Sequence, residues 1–284
     1  MRQISKFKVK KVPSSNLKVK SNHKVQSSNL KVQSKESSNL KVQSKLKALL
    51  SSTYFGPIQW YQKLNRYDEC LIERHESFIK QTYRNRMIIP TTNGPLSLTI
   101  PTNHDISLSM KDIRISDHAN WRHVHWNALL SAYGESPFFE YYQDDIRPFY
   151  EKKYEFLFDF NMETTEKMIE LLDIRPKISI TEEYVFSEER RVKSEETTFG
   201  GQGESQFDSI ADHKVQSSNF KVQSKEVQSI VDFRDAIRPK KPLPDAEFAP
   251  KRYYQVYGQK HGFQPNMSIL DLLFNEGNEA IFYL

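Results

Sequence analysis

The chain has 284 residues, enough for one medium domain or two small ones, and only 37% of them are hydrophobic, so part of the chain is predicted not to pack. Residues 1–50 hold 13 of the 41 Lys and Arg residues and one of the 36 acidic residues, which leaves 28 basic and 35 acidic residues, a balance of −7, in the remainder. A mildly acidic folded part argues against a domain built to bind nucleic acid or another polyanion.

Cys70 is the only cysteine, which excludes an intrachain disulfide, and its apolar neighbours predict a core thiol in a reducing compartment. The sequence has no apolar run of about 18 residues that could span a membrane. Its N-terminus lacks the apolar region of a signal peptide. We therefore expect a cytoplasmic protein.

Low-complexity sequence occupies residues 1–46, and the stretch HKVQSSNLKVQSKE at 23–36 recurs at 213–226 with one Leu-to-Phe difference. Each copy has too few apolar side chains to offset the entropy cost of ordering it. We predict a disordered tail over 1–46 and a disordered insert over 187–229, while 47–186 and 230–284 form one domain. The alternative is a polybasic arm for a nucleic acid or an anionic membrane surface.

The ordered part opens with a strand–turn–helix–strand pattern. Residues 48–55 predict a strand, Gly56-Pro57 a turn, residues 58–66 an amphipathic helix and residues 69–73 a buried strand. This pattern is the minimal parallel β-α-β unit.

Two further strands, 83–89 and 96–100, are predicted on either side of Asn93-Gly94, a dipeptide typical of tight hairpins. Because Arg84 and Arg86 are two positions apart, a strand would project both side chains from one face. They are either surface guanidiniums or a two-armed clamp on a carboxylate or phosphate.

A short strand at 113–115 and a helix at 119–133 follow, with the helix capped by Ser116 or Asp117. On that helix Trp121 and His125 share one stripe, and Arg122 and Trp126 share the neighbouring stripe.

The simpler interpretation of this helix is a core element in which Arg122 is paired to a carboxylate. The alternative is a pocket in which Arg122 and His125 bind an anionic group and His125 titrates near neutrality.

The remaining elements are predicted as helices at 137–150 and 155–172, strands at 178–186 and 252–257, and a helix at 267–276 that is capped by Asn266 and ends at Gly277. The last helix is apolar nearly all round, so Asp271 within it is expected to be buried. A buried carboxylate needs a partner, and we expect Arg84, Arg86 or Arg122, in a structural ion pair or in a site.

Motif searches indicate no particular cofactor. The sequence contains no glycine-rich nucleotide-binding motif, nucleophile elbow or paired-cysteine motif. His118 and His123 would lie about 140° apart around a helix, without the carboxylates that a metal site needs, so no metal site is predicted.

Five segments carry a resemblance to the WbqC-like protein family, in its short, Bacteroidetes-type form: YFGPIQWYQKL, YRNRMII, NGPLSLTIP, NWRHVHWNALLSAYGESPFFEYY and QPNMSILDLLFNEG. The resemblance covers 47–186 and 230–284. It implies a cytoplasmic protein of O-antigen or other surface-polysaccharide biosynthesis or modification that handles an amino-acid or sugar substrate. For some members of the family a glycine transferase role has been suggested, which makes a transferase the expected activity.

The pattern of that family falls on three groups of residues in this sequence: Arg84, Asn85 and Arg86; Asn120, Trp121, Arg122, His125 and Trp126; and Pro265, Asn266, Ser268, Asp271 and Asn275. The chain departs from the family at its first loop, which reads Ser-Thr-Tyr-Phe-Gly-Pro where many relatives have Gln-Pro-(Asn or His)-Tyr-Phe-Pro. It also lacks a glycine-rich segment that longer relatives carry before the terminal strand.

We therefore predict one α/β domain with a mixed β-sheet, a β-α-β start and a helical layer. In a transferase, Arg84, Arg86 and Arg122 would hold an anionic group of a small-molecule or glycan-precursor substrate, and Asn85, Trp126 and Asn266 would complete the binding site. His125 would be the general acid or base, and Asp271 would orient a guanidinium or imidazole. The alternatives are a non-catalytic binding or scaffolding protein of the glycan pathway, and polyanion binding through the basic tail.

Overall fold

The computed structural model describes residues 46–103, 108–186 and 229–284. Apart from residues 46 and 229, the predicted disordered tail and insert lie outside these described residues.

A four-stranded parallel sheet forms the centre of the fold. Its strands are β1 (Lys47–Ser51), β2 (Glu69–Glu73), β7 (Ile178–Ile180) and β8 (Ile230–Asp232), in the order β7-β2-β1-β8. Helix α1 (Ile58–Arg66) connects β1 to β2, and the register pairs Ala48 with Cys70 and with Val231. The α/β class and the β-α-β start are therefore confirmed.

An antiparallel hairpin, β3 (Arg86–Thr91) and β4 (Gly94–Thr99), follows, and Thr91 pairs with Gly94 across its turn. Gly94 has a φ of 97°, which a glycine adopts without strain. A further antiparallel pair joins β5 (Thr102–Asn103) to β6 (Arg114–Ile115). Strands of both directions are thus present, as predicted, but the parallel and antiparallel strands belong to separate sheets.

The prediction that Arg84 and Arg86 share a strand face is wrong. Strand β3 begins only at Arg86. The preceding residues form a turn in which the Asn85 amide donates to the Thr82 carbonyl oxygen at 3.4 Å.

The helical layer consists of α2 (Trp121–Tyr133), α3 (Phe139–Ile146), α4 (Pro148–Glu151) and α5 (Leu157–Leu171). Pro148 divides the predicted helix 137–150, because a proline supplies no backbone N–H and is best placed at the start of a new helix. The inner face of α5 is fully buried, as the side chains of Leu157, Phe160 and Met168 show.

The predicted strand at 252–257 is also wrong, since the fourth strand of the sheet is β8. This segment instead packs against α7 (Ile269–Glu276), which follows the short helix α6 (Gly258–His261). The Tyr253 hydroxyl donates to Asp271, and the Tyr254 amide donates to Glu276 Oε1 at 2.8 Å. These side-chain partners take the place of strand pairing.

The N-cap of α7 is Ser268 rather than Asn266. Ser268 Oγ accepts from the Leu270 amide at 3.3 Å and donates to the Phe55 carbonyl oxygen at 2.7 Å. Asn266 lies two residues earlier, with a φ of 56°, and exchanges two hydrogen bonds with Gln59. Ser268 thus caps α7 and ties it to the loop after β1.

Within the described ranges, no helix is long and apolar enough to cross a membrane.

We predict that Ser268→Ala lowers the free energy of unfolding by about 1–2 kcal/mol, because it removes the α7 cap and leaves the buried Phe55 carbonyl oxygen without this donor. Urea denaturation followed by circular dichroism measures the change. Ser97→Ala is the matched control, since Ser97 is exposed on β4. An equal, small change in both variants would contradict the assigned role of Ser268.

Candidate functional site

An open cleft of about 360 Å³ lies beside the N-terminus of α2 and the helix α4. We call it the α2–α4 cleft; its lining residues are Asn120, Arg122, His123, Trp126, Arg147, Tyr150, Glu151 and Lys153. Its volume lies within the range of small-molecule sites. Arg122 and Trp126 are the predicted site residues that line it.

Three cations face the cleft, each with a carboxylate partner. Arg122 Nη1 and Lys153 Nζ both contact the carboxylate of Asp117, and Arg147 is paired with Glu151 four residues later. The prediction of a carboxylate partner for Arg122 is confirmed. Arg122 is also stacked on the ring of Trp121, with 4.8 Å from the guanidinium carbon to the ring centroid.

The first turn of α2 forms one wall of the cleft, because Asn120, Arg122 and His123 all line it. No side chain caps this helix, and its first turn has no acidic residue. Ala119 and Asn120 adopt φ values of 60° and 45° before the helix begins. The partial positive charge of an uncapped helix N-terminus adds to that of the three cations.

A buried hydrogen-bond chain runs from beneath the cleft to its wall. The Tyr54 hydroxyl lies 2.9 Å from His125 Nδ1 and 2.9 Å from the Tyr150 hydroxyl, and Tyr150 lines the cleft. The chain is therefore His125–Tyr54–Tyr150. A hydroxyl has one proton, so Tyr54 donates to one neighbour and accepts from the other.

His125 itself is only 4% exposed, and its ring packs against Trp121. Burial lowers the pKa of His125 to about 4. The expected titration near neutrality is therefore wrong: the imidazole is neutral at pH 7, because an apolar environment disfavours the charged form.

Arg84 is held in a separate buried network. Arg84 Nε donates to Glu76 Oε1 at 2.8 Å, and Arg84 Nη2 donates to Ser51 Oγ at 2.8 Å. Arg84 and Arg234 line a cavity of about 10 Å³ next to the carboxyl ends of β1 and β8, which has room for about one water molecule. This cavity is too small for a substrate.

Asn85, Arg86 and Asn266 also have partners away from the cleft. Asn85 Nδ2 donates to the Ile100 carbonyl oxygen at 3.0 Å, and Arg86 Nε donates to Thr99 Oγ1 at 2.9 Å. Asn266 holds Gln59 at the start of α1. The fold thus does not bring them to Arg122 and Trp126.

Asp271 is fully buried in the first turn of α7, as predicted, but its predicted arginine partner is wrong. It accepts hydrogen bonds from the Tyr253 hydroxyl, from Gln255 Nε2 at 2.8 Å and from Asn275 Nδ2 at 3.2 Å. Burial raises the pKa of Asp271 to about 6, although these donors favour the ionised form.

Sequence reasoning missed Tyr54, Arg147, Tyr150 and Lys153. The signal that could have linked Arg147 and Tyr150 is their spacing of three positions, which indicates a common helix face. Tyr54 belongs to the first loop, and the sequence shows the family motif that contains it. Its contact with His125, 71 residues away, cannot be read from the sequence. Among the described residues, no group of three or more His, Cys, Asp or Glu side chains could hold a metal ion.

The raised pKa of Asp271 predicts a pH-dependent stability. Its carboxyl has a pKa of about 6 in the folded chain, against an ordinary value of 3.8. The stabilisation that this raised pKa contributes to the free energy of unfolding is therefore fully present below about pH 4 and is lost as the pH rises through 6. The Asp271→Asn variant has no titrating carboxyl at this position, so it does not lose this stabilisation as the pH rises. We expect the free energy of unfolding of the variant, relative to the unsubstituted protein, to rise by about 3 kcal/mol from pH 3.5 to pH 7.

Urea denaturation at a series of pH values measures this difference. The matched control is Asp159→Asn, because Asp159 also occupies the first turn of a helix but is exposed. A pH-independent difference for Asp271→Asn would show that the buried carboxyl does not titrate as described.

The chain matches the WbqC-like protein family over residues 51–228 and 240–283. The matched ranges include 187–228, which the motif resemblance had left outside the family. Among curated proteins, the chain is similar to "Uncharacterized protein Rv1507c" of Mycobacterium tuberculosis, at 26% identity over 245 residues that cover 84% of this chain and 97% of the relative. No solved structure matches the chain. With a family match that extends over most of its length, the chain belongs to the WbqC-like protein family.

Proposed function

We propose that this protein is a cytoplasmic transferase of bacterial surface-polysaccharide (O-antigen) biosynthesis or modification, which transfers an amino-acid group such as glycine to a glycan precursor. The observation that carries the proposal is the α2–α4 cleft, which is lined by three cations and Trp126 and by Tyr150, the end of the His125–Tyr54–Tyr150 chain.

The cleft would bind the substrate by two kinds of contact. Arg122 and Arg147 offer guanidinium groups, which suit the planar oxygens of a carboxylate or phosphate. The half-buried Trp126, whose ring packs against that of Tyr150 with centroids 5.8 Å apart, offers an apolar surface against which a sugar ring can pack. Polar and apolar contacts together would orient the precursor.

The hydrogen-bond chain would then move the proton that the transfer releases. The acceptor hydroxyl or amine gives its proton to Tyr150, Tyr150 passes its own to Tyr54, and Tyr54 passes its own to His125 Nδ1. His125 is neutral at pH 7 and so can accept the proton, but it holds it only transiently because burial disfavours the charged imidazole. The acceptor atom bonds to the carbonyl carbon of an activated amino-acid donor, and the leaving group departs with the electron pair of the broken bond. In this role His125 acts through Tyr150, the residue that touches the substrate.

A second candidate is a non-catalytic binding or scaffolding protein of the same pathway. The observation in its favour is that Arg84 and Asp271 are buried and hydrogen-bonded to other side chains rather than open to a ligand. In that case the cleft would bind the glycan precursor without transfer. Polyanion binding through the basic tail concerns residues 1–45, which lie outside the described part of the chain.

We predict that Arg122→Ala and Arg147→Ala each weaken the binding of an anionic glycan precursor by about tenfold or more, since each removes a charged donor from the cleft. Isothermal titration calorimetry with uronic acids, sugar phosphates, nucleotide-sugars and amino acids measures the affinities. Arg175→Ala is the control, because Arg175 is exposed and does not line the cleft.

If a ligand of this panel binds and Arg122→Ala and Arg147→Ala both retain its full affinity, the α2–α4 cleft is not the binding site.

We predict that Tyr54→Phe lowers the transfer rate by about a hundredfold or more while leaving substrate affinity unchanged. The substitution keeps the buried ring but removes the hydroxyl that joins His125 to Tyr150. The measurement is the rate of transfer of a labelled amino acid to the precursor that binds.

The matched control is Tyr61→Phe, which removes another fully buried hydroxyl, in α1. Equal rates in the two variants would contradict the proton-transfer role. Tight binding without transfer in the unsubstituted protein would favour the non-catalytic candidate.

A further inference from the structure

The Asp117 carboxylate is the present partner of two cations that line the cleft, Arg122 and Lys153, and takes the place of an anionic ligand between them. Its Oδ1 contacts Arg122 Nη1, and its Oδ2 contacts Lys153 Nζ at 3.0 Å. The two cations come from different parts of the chain, the first turn of α2 and the residues after α4. They are therefore already placed on either side of a two-oxygen anion.

The Asp117 carboxylate is free to leave this position. Its side chain is 53% exposed, whereas that of Arg122 is 12% exposed and that of Lys153 is 79% exposed. The ion pair with Lys153 is open to solvent and adds little stability. A ligand anion that takes over both the Arg122 and the Lys153 contacts can therefore replace the exposed Asp117 carboxylate without leaving the Arg122 guanidinium unpaired. Arg122 is held more firmly, by its stacking on Trp121.

From this arrangement we infer that the cleft binds the phosphate of a sugar phosphate between Arg122 and Lys153, and that Asp117 is an internal competitor for those two groups. This inference rests on the proposed function, because it names the substrate class of the same cleft.

The charge of the competitor favours a phosphate over a carboxylate. A ligand carboxylate would replace one single negative charge by another and gain little. A phosphate monoester carries a charge of about −1.5 to −2 at pH 7 and has three acceptor oxygens, so it gains charge as well as hydrogen bonds.

The third oxygen of the phosphate has candidate donors nearby. Arg147 and the uncapped first turn of α2 both face the cleft, and backbone N–H groups at a helix N-terminus favour phosphate.

The sugar would lie over the aromatic side of the cleft. Trp126 is half-buried, and Tyr150 lies beside it. A phosphate held by Arg122 would thus place the attached ring near Tyr150, the residue that the proposed transfer uses.

The inference is tested with the full chain and five probes: glucose 1-phosphate, glucuronate, glucose, UDP-glucose and inorganic phosphate. We expect glucose 1-phosphate to bind more tightly than glucuronate, and glucose to bind weakest. Asp117→Asn is expected to tighten glucose 1-phosphate binding by roughly threefold to fivefold, because it removes the competing charge. Lys153→Gln is expected to weaken it by a similar factor.

Glu155→Gln is the matched control, because Glu155 is an exposed acid paired with Arg114 and does not line the cleft. Equal tightening by both acid substitutions would mean a general charge effect and would overturn the role of Asp117. Glucuronate binding as tightly as glucose 1-phosphate would overturn the phosphate assignment. Tighter binding of UDP-glucose than of glucose 1-phosphate would assign the site to a diphosphate diester and overturn the monoester.

A failure of the phosphate-binding inference can be distinguished from a failure of the proposed transferase function. Phosphate-dependent binding that responds to Asp117→Asn, without any transfer, would leave this inference standing and refute the transferase. If the protein transfers the amino acid to a precursor without phosphate, and Asp117→Asn does not change the binding affinity, the transferase is supported and this inference is overturned.

Discussion

The position of the loop between β1 and α1, residues 52–57, is the constraint on which the cleft depends. The Tyr54 amide donates to the Tyr83 carbonyl oxygen at 2.9 Å, and the Ile269 amide donates to the Gly56 carbonyl oxygen at 2.9 Å. A Cβ on Gly56 would lie 2.3 Å from Thr53 Oγ1, so the chain can turn this tightly only at a glycine. Held in this way, the Tyr54 hydroxyl reaches His125 on one side and Tyr150 on the other.

Buried charges in this fold are paired with carboxylates rather than exposed to the cleft. Lys63 of α1 is fully buried and contacts Asp245 and Glu247 in the proline-containing segment after β8. Arg84 is paired with Glu76, and Arg234 with Asp232. Because an unpaired charge in the interior costs several kcal/mol, such residues are placed where a partner is present. An arginine in an apolar context is therefore as much a sign of tertiary pairing as of ligand binding.

The carboxyl edge of the parallel sheet would be the usual place for a ligand in an α/β fold, and the junction between β1 and β8 is its topological switch point. Here that edge is filled. Arg84 and Arg234 are surrounded by the carboxylates of Glu73, Glu76 and Asp232, and the remaining cavity has room for only about one water molecule. The α2–α4 cleft lies instead in the helical layer, away from this edge. The same layer supplies two of the three residues of the hydrogen-bond chain, and the loop after β1 supplies the third.

Local patterns in the sequence determined most of the elements. The apolar runs at β1 and β2, the periodicity of α1, α2 and α5, and the Asn-Gly signal of the hairpin each depend on neighbours within a few residues, which the sequence displays directly. The stripe that carries Arg122 and Trp126, and the burial of His125 and Asp271, follow from the same periodicity. Tertiary structure alone decided which partners these side chains meet. Asp271 contacts Tyr253 and Gln255 instead of an arginine, and segment 252–257 is not a strand, because its hydrogen bonds go to side chains of α7. The contacts of Tyr54 with His125 and Tyr150 span 71 and 96 residues, so no local pattern could reveal them.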